Sequence, residues 1–296
     1  MTSLLHPLLL ALAVAVPPTT AASCPRAFLQ TVTSAYIAAQ KAGQPSLFTA
    51  PFASPPSPNL IYLENNQLAN LATGALATPL KIDIARSLHD PDQCATFTEL
   101  IAAGDARPHV IHTRMVLDGV GVTLVESVVT AQGDWLFNAT GTLELDKGEK
   151  WGVVPEGERM SREGVKALGD AYFDRFGNVS VIVPWGEPCY RLEGGLPARG
   201  EMKGGECVMV WPSTIIIPYR RYVVDVEMGA VDLFIGFPGL DRTQGQMPMP
   251  DSHLFRVEGG KIKYCHTASA CVVDGCGLNG TTFGKRRGVR PVNLSV

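Results

Sequence analysis

His253 and His266 stand at equal distances on either side of Gly259-Gly260. A two-residue turn at that Gly pair sets Glu258 against Lys261. Carried along both strands, the register sets Val257 against Ile262, Phe255 against Tyr264 and His253 against His266. Strand alternation then places all six on one face, with Arg256, Lys263 and Cys265 on the other. That face is apolar and aromatic except for two opposed imidazoles. Imidazole exchanges a proton near neutral pH, and a second one lowers the pKa of the first. The pair therefore fits general acid/base work in an apolar pocket. The same residues also fit two rim histidines bonded to backbone, with no chemistry.

Other groups extend the candidate site. Tyr172 lies on the apolar face of a helical stretch, where its hydroxyl can donate to a developing enolate oxygen or simply fill the core. Asp225 and Arg221 share one strand face, as a base and an anion clamp or as a rim salt bridge. Tyr219 stands beside Arg221 in a Tyr-Arg-Arg-Tyr cluster that suits a carboxylate or anhydride-derived substrate. Phe255 and Tyr264 supply apolar walls. In the first half, Asp83, His109, His112, Arg114 and Glu126 read as structural. No P-loop, G-x-G-x-x-G, G-x-S-x-G, H-E-x-x-H or C-x-x-C occurs, so neither a cofactor nor a metal is expected.

The elements that must position these groups come in two similar sets. Residues 26–42 and 161–176 both read as amphipathic helices closed by Gly43 and Gly177, and Ser161 is an N-cap. Val165, Leu168, Tyr172, Phe173 and Phe176 recur at helical spacing. Segments 109–130 and 219–237 share β-branched strand patterns, and 135–145 aligns with 253–263 as a short hairpin. Residues 64–71 read as a short helical piece. This internal similarity predicts duplicated α+β modules over 23–150, with a Pro-rich insertion at 45–58, and over 160–271, followed by an irregular tail at 272–296.

Residues 1–22 read as a secretory signal, with an apolar run and then small residues. Four acceptor sequons agree, at Asn138, Asn178, Asn279 and Asn293. The seven cysteines are then expected to form up to three disulfides, Cys189–Cys207 first among them. A net charge of −3 with 18% charged residues gives no electrostatic case for nucleic acid. No long apolar run follows the signal, so no integral membrane segment is expected.

A long helix followed by a bent antiparallel sheet is the order of the cone-shaped NTF2-like fold. Segments 219–237 (YRRYVVDVEMGAVDLFIGF) and 251–268 (DSHLFRVEGGKIKYCHTA), with Pro188-Cys-Tyr-Arg-Leu-Glu-Gly-Gly195, resemble secreted fungal NTF2-like proteins of the SnoaL-like or ketosteroid-isomerase-like type. The resemblance covers most of 160–271, and the first half only in outline. It implies two tandem cone modules. It also implies a cofactor-independent cyclase or isomerase of secondary metabolism, moving a proton next to a carbonyl of a polyketide- or anhydride-type substrate. A subset of the family resembles cyclases that dimerise maleic-anhydride monomers. The resemblance further implies Tyr172 as the oxyanion donor and association with other pathway enzymes. A secreted, non-catalytic small-molecule binder and a pericyclase are the rival readings.

Overall fold

The computed structural model describes residues 24–52, 60–119, 121–197, 207, 214–238, 248–272 and 276. The signal segment, Asn279 and Asn293 lie outside these residues, as do most of the tail and part of the Pro-rich insertion. The fold is α+β, with four α-helices and two six-stranded sheets among the described residues. Among the described residues no helix is long and apolar enough to cross a membrane.

Helix α1 (Arg26–Ala42) ends in a left-handed Gly43, as its sequence predicts. It is followed by the short α2 (Ser46–Phe52). A hairpin, β1 (Ile61–Glu64) and β2 (Gln67–Leu68), comes next. Four strands then run up and down: β3 (Ile84–Asp90), β4 (Ala95–Ala102), β5 (His109–Leu117) and β6 (Val122–Thr130). Strand β6 pairs in parallel with β1, giving the order β2-β1-β6-β5-β4-β3.

The second half repeats this plan. Helix α3 (Ala139–Asp146) lies between the halves, and α4 (Arg162–Asp174) starts where the Ser161 side chain accepts from Gly164 N. The hairpin β7 (Trp185–Glu193) and β8 (Leu196–Pro197) precedes β9 (Arg221–Asp225), β10 (Ala230–Phe237), β11 (Met249–Glu258) and β12 (Lys261–Ser269). The strand order is β8-β7-β12-β11-β10-β9, again closed by a parallel pair, β12 with β7.

Three details of the internal alignment are corrected. Segment 139–146 is helical, because Asn138 Oδ1 accepts from Gly141 N and starts a turn. The first-half counterpart of β11–β12 is therefore β5–β6, and β9–β10 corresponds to β3–β4. Residues 64–68 form a hairpin turn, since Asn65 and Asn66 both take the left-handed conformation.

The layers run helix, sheet, sheet, helix. Leu29, Val32, Tyr36 and Ala39 of α1 bury against Leu100, Ile111, Met115 and Val125. On the far side, Val165, Leu168, Tyr172 and Phe173 of α4 bury against Val224, Val231, Leu233 and Phe255. Between the sheets lie Leu88, Phe97 and Val128 of one and Val223, Phe234, Leu254 and Ala268 of the other. Each such side chain contributes about 1.5–3 kcal/mol by leaving water.

Two reciprocal ion pairs lock the halves. Arg26, first in α1, makes a bidentate pair with Asp225, last in β9, at 2.9 and 2.8 Å. Arg162, first in α4, meets Asp90, last in β3, at 2.8 Å. Asp225 also accepts from His89 N, and Asp90 from Val224 N. The same contact made twice in exchanged roles is the pattern of a two-fold dimer interface, here within one chain.

Disulfides join Cys24 to Cys94, Cys189 to Cys207 and Cys271 to Cys276, while Cys265 is a buried thiol. Three bridges fit folding in an oxidising compartment.

Candidate functional site between the two sheets

The Gly259-Gly260 turn forms as expected, with φ of 55° and 76°, and Glu258 pairs with Lys261 and Val257 with Ile262. A bulge then intervenes, so that Arg256 meets Tyr264, Phe255 meets Cys265, Leu254 meets His266 and His253 meets Thr267. One extra residue turns the rest of β12 over. His253 and His266 therefore lie on opposite faces, which overturns their expected opposition.

His253 faces α4. Its ring lies 4.9 Å from Phe173 and 5.2 Å from Tyr172, centroid to centroid, within an aromatic cluster that also holds Phe255. The Tyr172 hydroxyl is buried and accepts from Arg191 Nε at 2.9 Å. Burial holds this phenol well above its ordinary pKa, against the opposing pull of the Arg191 charge. Tyr172 and Phe255 thus share the helix-facing side with His253.

The other expected site residues are elsewhere. Asp225 is committed to Arg26 and to backbone amides. Arg221 pairs with Glu126 at 2.9 Å, where Arg114 also binds. Tyr219 is 80% exposed. Tyr264 accepts from Lys150 N and packs 5.7 Å from the Trp151 ring. These residues do not converge on one cavity.

What does converge is a polar centre between the sheets. Arg86 on β3, Glu99 on β4 and His112 on β5 are neighbours across three strands. From the other sheet, β12 contributes His266, β11 contributes Ser252 and β10 contributes Asp232. The connector 147–155 adds Glu149 and Trp151. His266 Nδ1 lies 2.9 Å from Glu99 Oε1 and its Nε2 2.8 Å from Glu149 Oε2. Glu99 Oε1 also accepts from His112 Nε2 at 3.3 Å. His112 Nδ1 is 2.9 Å from Ser252 Oγ, which reaches Asp232 Oδ1 at 2.8 Å. Arg86 bridges Glu99 and Asp146. Its guanidinium lies 4.0 Å over the Trp151 ring, which itself packs 5.5 Å from His266.

The charge states follow from this geometry. Burial works against protonation of His266, but Glu149 and Glu99 outweigh it and push its pKa up to about 10. Both ring nitrogens then donate, and His266 is an imidazolium. Burial would raise Glu99, yet His266, Arg86 and the His112 hydrogen bond hold it well below the usual carboxylate range. Burial lowers His112, although Glu99 pulls it upward. Burial also lifts Asp232 well above the usual range, against the Ser252 hydrogen bond and the Arg114 charge. Among the described residues, buried Asp232 Oδ2 and Glu149 Oε1 have no hydrogen-bond partner.

Glu99, Asp146 and His266 place ligand atoms within 4.8 Å of one another, a set that could hold a divalent cation. Arg86 already pairs with both carboxylates and His266 carries a proton on each nitrogen, so a cation would have to displace these two charges.

Of this centre the sequence points only to His266 as a reacting group and gives His112 a structural role. Glu99 lies in ATFTELIA, a strand buried on both faces, so alternation did not mark it. The pairing of Glu99 with His112 identifies it, but the loop between β4 and β5, with Gly104, Asp105 and Pro108, is too long for its turn residues to set a register.

A family described as a domain of unknown function (DUF8021) matches residues 158–269, the second helix-and-sheet half. No curated protein matches the chain. The matched stretch carries His266, Ser252 and Asp232, while Arg86, Glu99, His112, Asp146 and Glu149 lie before it.

Proposed function

We propose that the chain is a cofactor-independent acid–base enzyme, a cyclase or isomerase of secondary metabolism built from two NTF2-like modules, and that its chemistry resides between the sheets. The observation that carries this reading is His266, whose two ring nitrogens lie between Glu99 and Glu149, while the buried Glu149 Oε1 has no hydrogen-bond partner among the described residues. Perturbed titratable groups with an unsatisfied acceptor are the parts of a proton-transfer site. Glu149 Oε1 takes a proton from a carbon next to a carbonyl, and the C–H electron pair becomes an enolate. The adjacent His266 charge stabilises that anion. The enolate carbon then attacks a second carbonyl, as in coupling of anhydride monomers, and the alkoxide formed takes the proton from Glu149, or the enolate takes that proton back at a new position.

Access requires the Trp151 ring, which packs 5.5 Å from His266, to turn aside while Glu149 keeps its place against His266. The two modules would be a duplicated ancestral unit, secreted and acting on a polyketide- or anhydride-type small molecule.

A second reading is favoured by a specific observation. His112, Glu99 and His266 are almost fully buried, as expected of polar groups that only join two sheets in a non-catalytic small-molecule binder. Gene deletion with metabolite profiling separates the two. The enzyme reading predicts an accumulated uncyclised precursor, restored to product by the wild-type chain but not by a secreted, folded His266→Gln variant. Unchanged metabolites, or full rescue by His266→Gln, would support the binder.

A further inference from the structure

The turn after α4 carries a sequon, Asn178-Val179-Ser180, on an unusual piece of surface. Val179, Ile182 and Ile216 around it are 60%, 85% and 75% exposed. A groove of about 270 Å³ opens beside them, with Phe173, Val181, Ile215 and Ile217 in its lining and Asn178 itself among its wall residues. At about 30 Å³ per water this holds about nine waters. The polar cation at its edge is already engaged, since Arg220 binds Asp170 at 2.8 Å and Asp174 at 2.6 Å. An apolar surface of this kind on a secreted chain is normally covered.

We infer that Asn178 carries an N-linked glycan whose first sugars lie over this apolar surface. Asn178 is exposed, and its Oδ1 accepts from Ser180 N at 3.0 Å. That turn uses the carbonyl oxygen and not the amide nitrogen. Transfer forms a bond from Nδ2 to the anomeric carbon of the sugar. It breaks the bond from that carbon to the phosphate of a lipid-linked oligosaccharyl pyrophosphate, which leaves with the electron pair, while Nδ2 gives up one proton. The apolar C–H faces of the amino sugars then rest on Ile182 and Ile216.

The sequon at Asn138 is built differently. Its Oδ1 caps α3 by accepting from Gly141 N, and its backbone N donates to Gly194 O. Gly141 and Gly195 press against it so closely that neither has room for a side chain. Asn138 is only half exposed and its Nδ2 is crowded against Gly141, so a glycan there would have to displace packed backbone, and the sugar is assigned to Asn178 and none to Asn138. It depends on no part of the proton-transfer proposal.

The test is peptide mapping by mass spectrometry of the full chain secreted from a eukaryotic host, beside Ser180→Ala and Ser180→Thr variants. The Asn178 peptide should carry the sugar in wild type and Ser180→Thr and lose it in Ser180→Ala, and the Asn138 peptide should be unmodified. Enzymatic removal of the sugar from the folded wild type should raise fluorescence of an apolar-surface dye several-fold. An unmodified Asn178 in secreted wild type, or a sugar on Asn138, would overturn the assignment. Equal dye binding with and without the sugar would overturn the covering role. Mapping and deglycosylation of wild type decide the matter even if Ser180→Ala fails to fold.

Discussion

At the scale of single residues, two histidines are driven in opposite directions by what surrounds them. His266 is raised to about 10, where burial is outweighed by Glu149 and Glu99. His89 is lowered to about 4, chiefly by burial and then by Arg26. The folded chain keeps the His266 proton above the ordinary value of 6.5, so that contribution is complete below pH 6.5 and is lost as pH rises toward 10. Folded His89 stays neutral while the unfolded chain takes up its proton, so stability also falls from pH 6.5 toward 4. Urea midpoints across pH 4–10 should therefore peak near 6.5, between the two windows. His266→Gln should flatten the alkaline limb and His89→Gln the acid limb. An alkaline limb unchanged in His266→Gln would contradict the assigned charge. None of this was legible in the sequence, because burial and charge partners come from strands distant along the chain.

At the scale of elements, local chemistry was readable and register was not. Both long helices, the Ser161 cap and the Gly259-Gly260 turn were visible because their signals are short-range. The bulge before Val257 has no such signal, and a single unpaired residue there separates His253 from His266. Strands β3 and β4 carry no pattern that marks them in the sequence, and the hairpin expected over 135–145 gives way to a helix because the mixed stretch ATGTLELD suits either state until Asn138 caps it. The turn itself gives a sharp test. Both glycines adopt positive φ with nothing packed against them. Gly259→Val should cost about 1–2 kcal/mol through left-handed strain, and Gly259→Asn should be nearly neutral, as read from thermal unfolding. Equal costs would show that packing, not backbone conformation, governs this position.

At the scale of the whole molecule, the two halves behave as one body. The core between the sheets, the reciprocal Arg26–Asp225 and Arg162–Asp90 pairs and the shared polar centre all cross the boundary. A single unfolding transition is expected. Asp225→Ala, which leaves Arg26 only Glu227 and removes the acceptor of the buried His89 N–H, should lower stability by about 1–3 kcal/mol while the transition remains single. Two separated transitions in calorimetry would show that the halves fold independently. The internal similarity in sequence pointed to two related halves. It could not show that their active-looking groups would meet at the seam, because the first-half residues Glu99 and His112 gain their role only from His266 opposite.

The most direct measurement is the protonation state of that imidazole, followed by histidine-selective nitrogen NMR from pH 5 to 11. The account predicts one histidine doubly protonated at neutral pH and titrating near 10, which disappears in His266→Gln and shifts downward in Glu149→Gln. A His266 signal that titrates near its ordinary value of 6.5 would contradict the clamped imidazolium and, with it, a proton-transfer centre between the sheets.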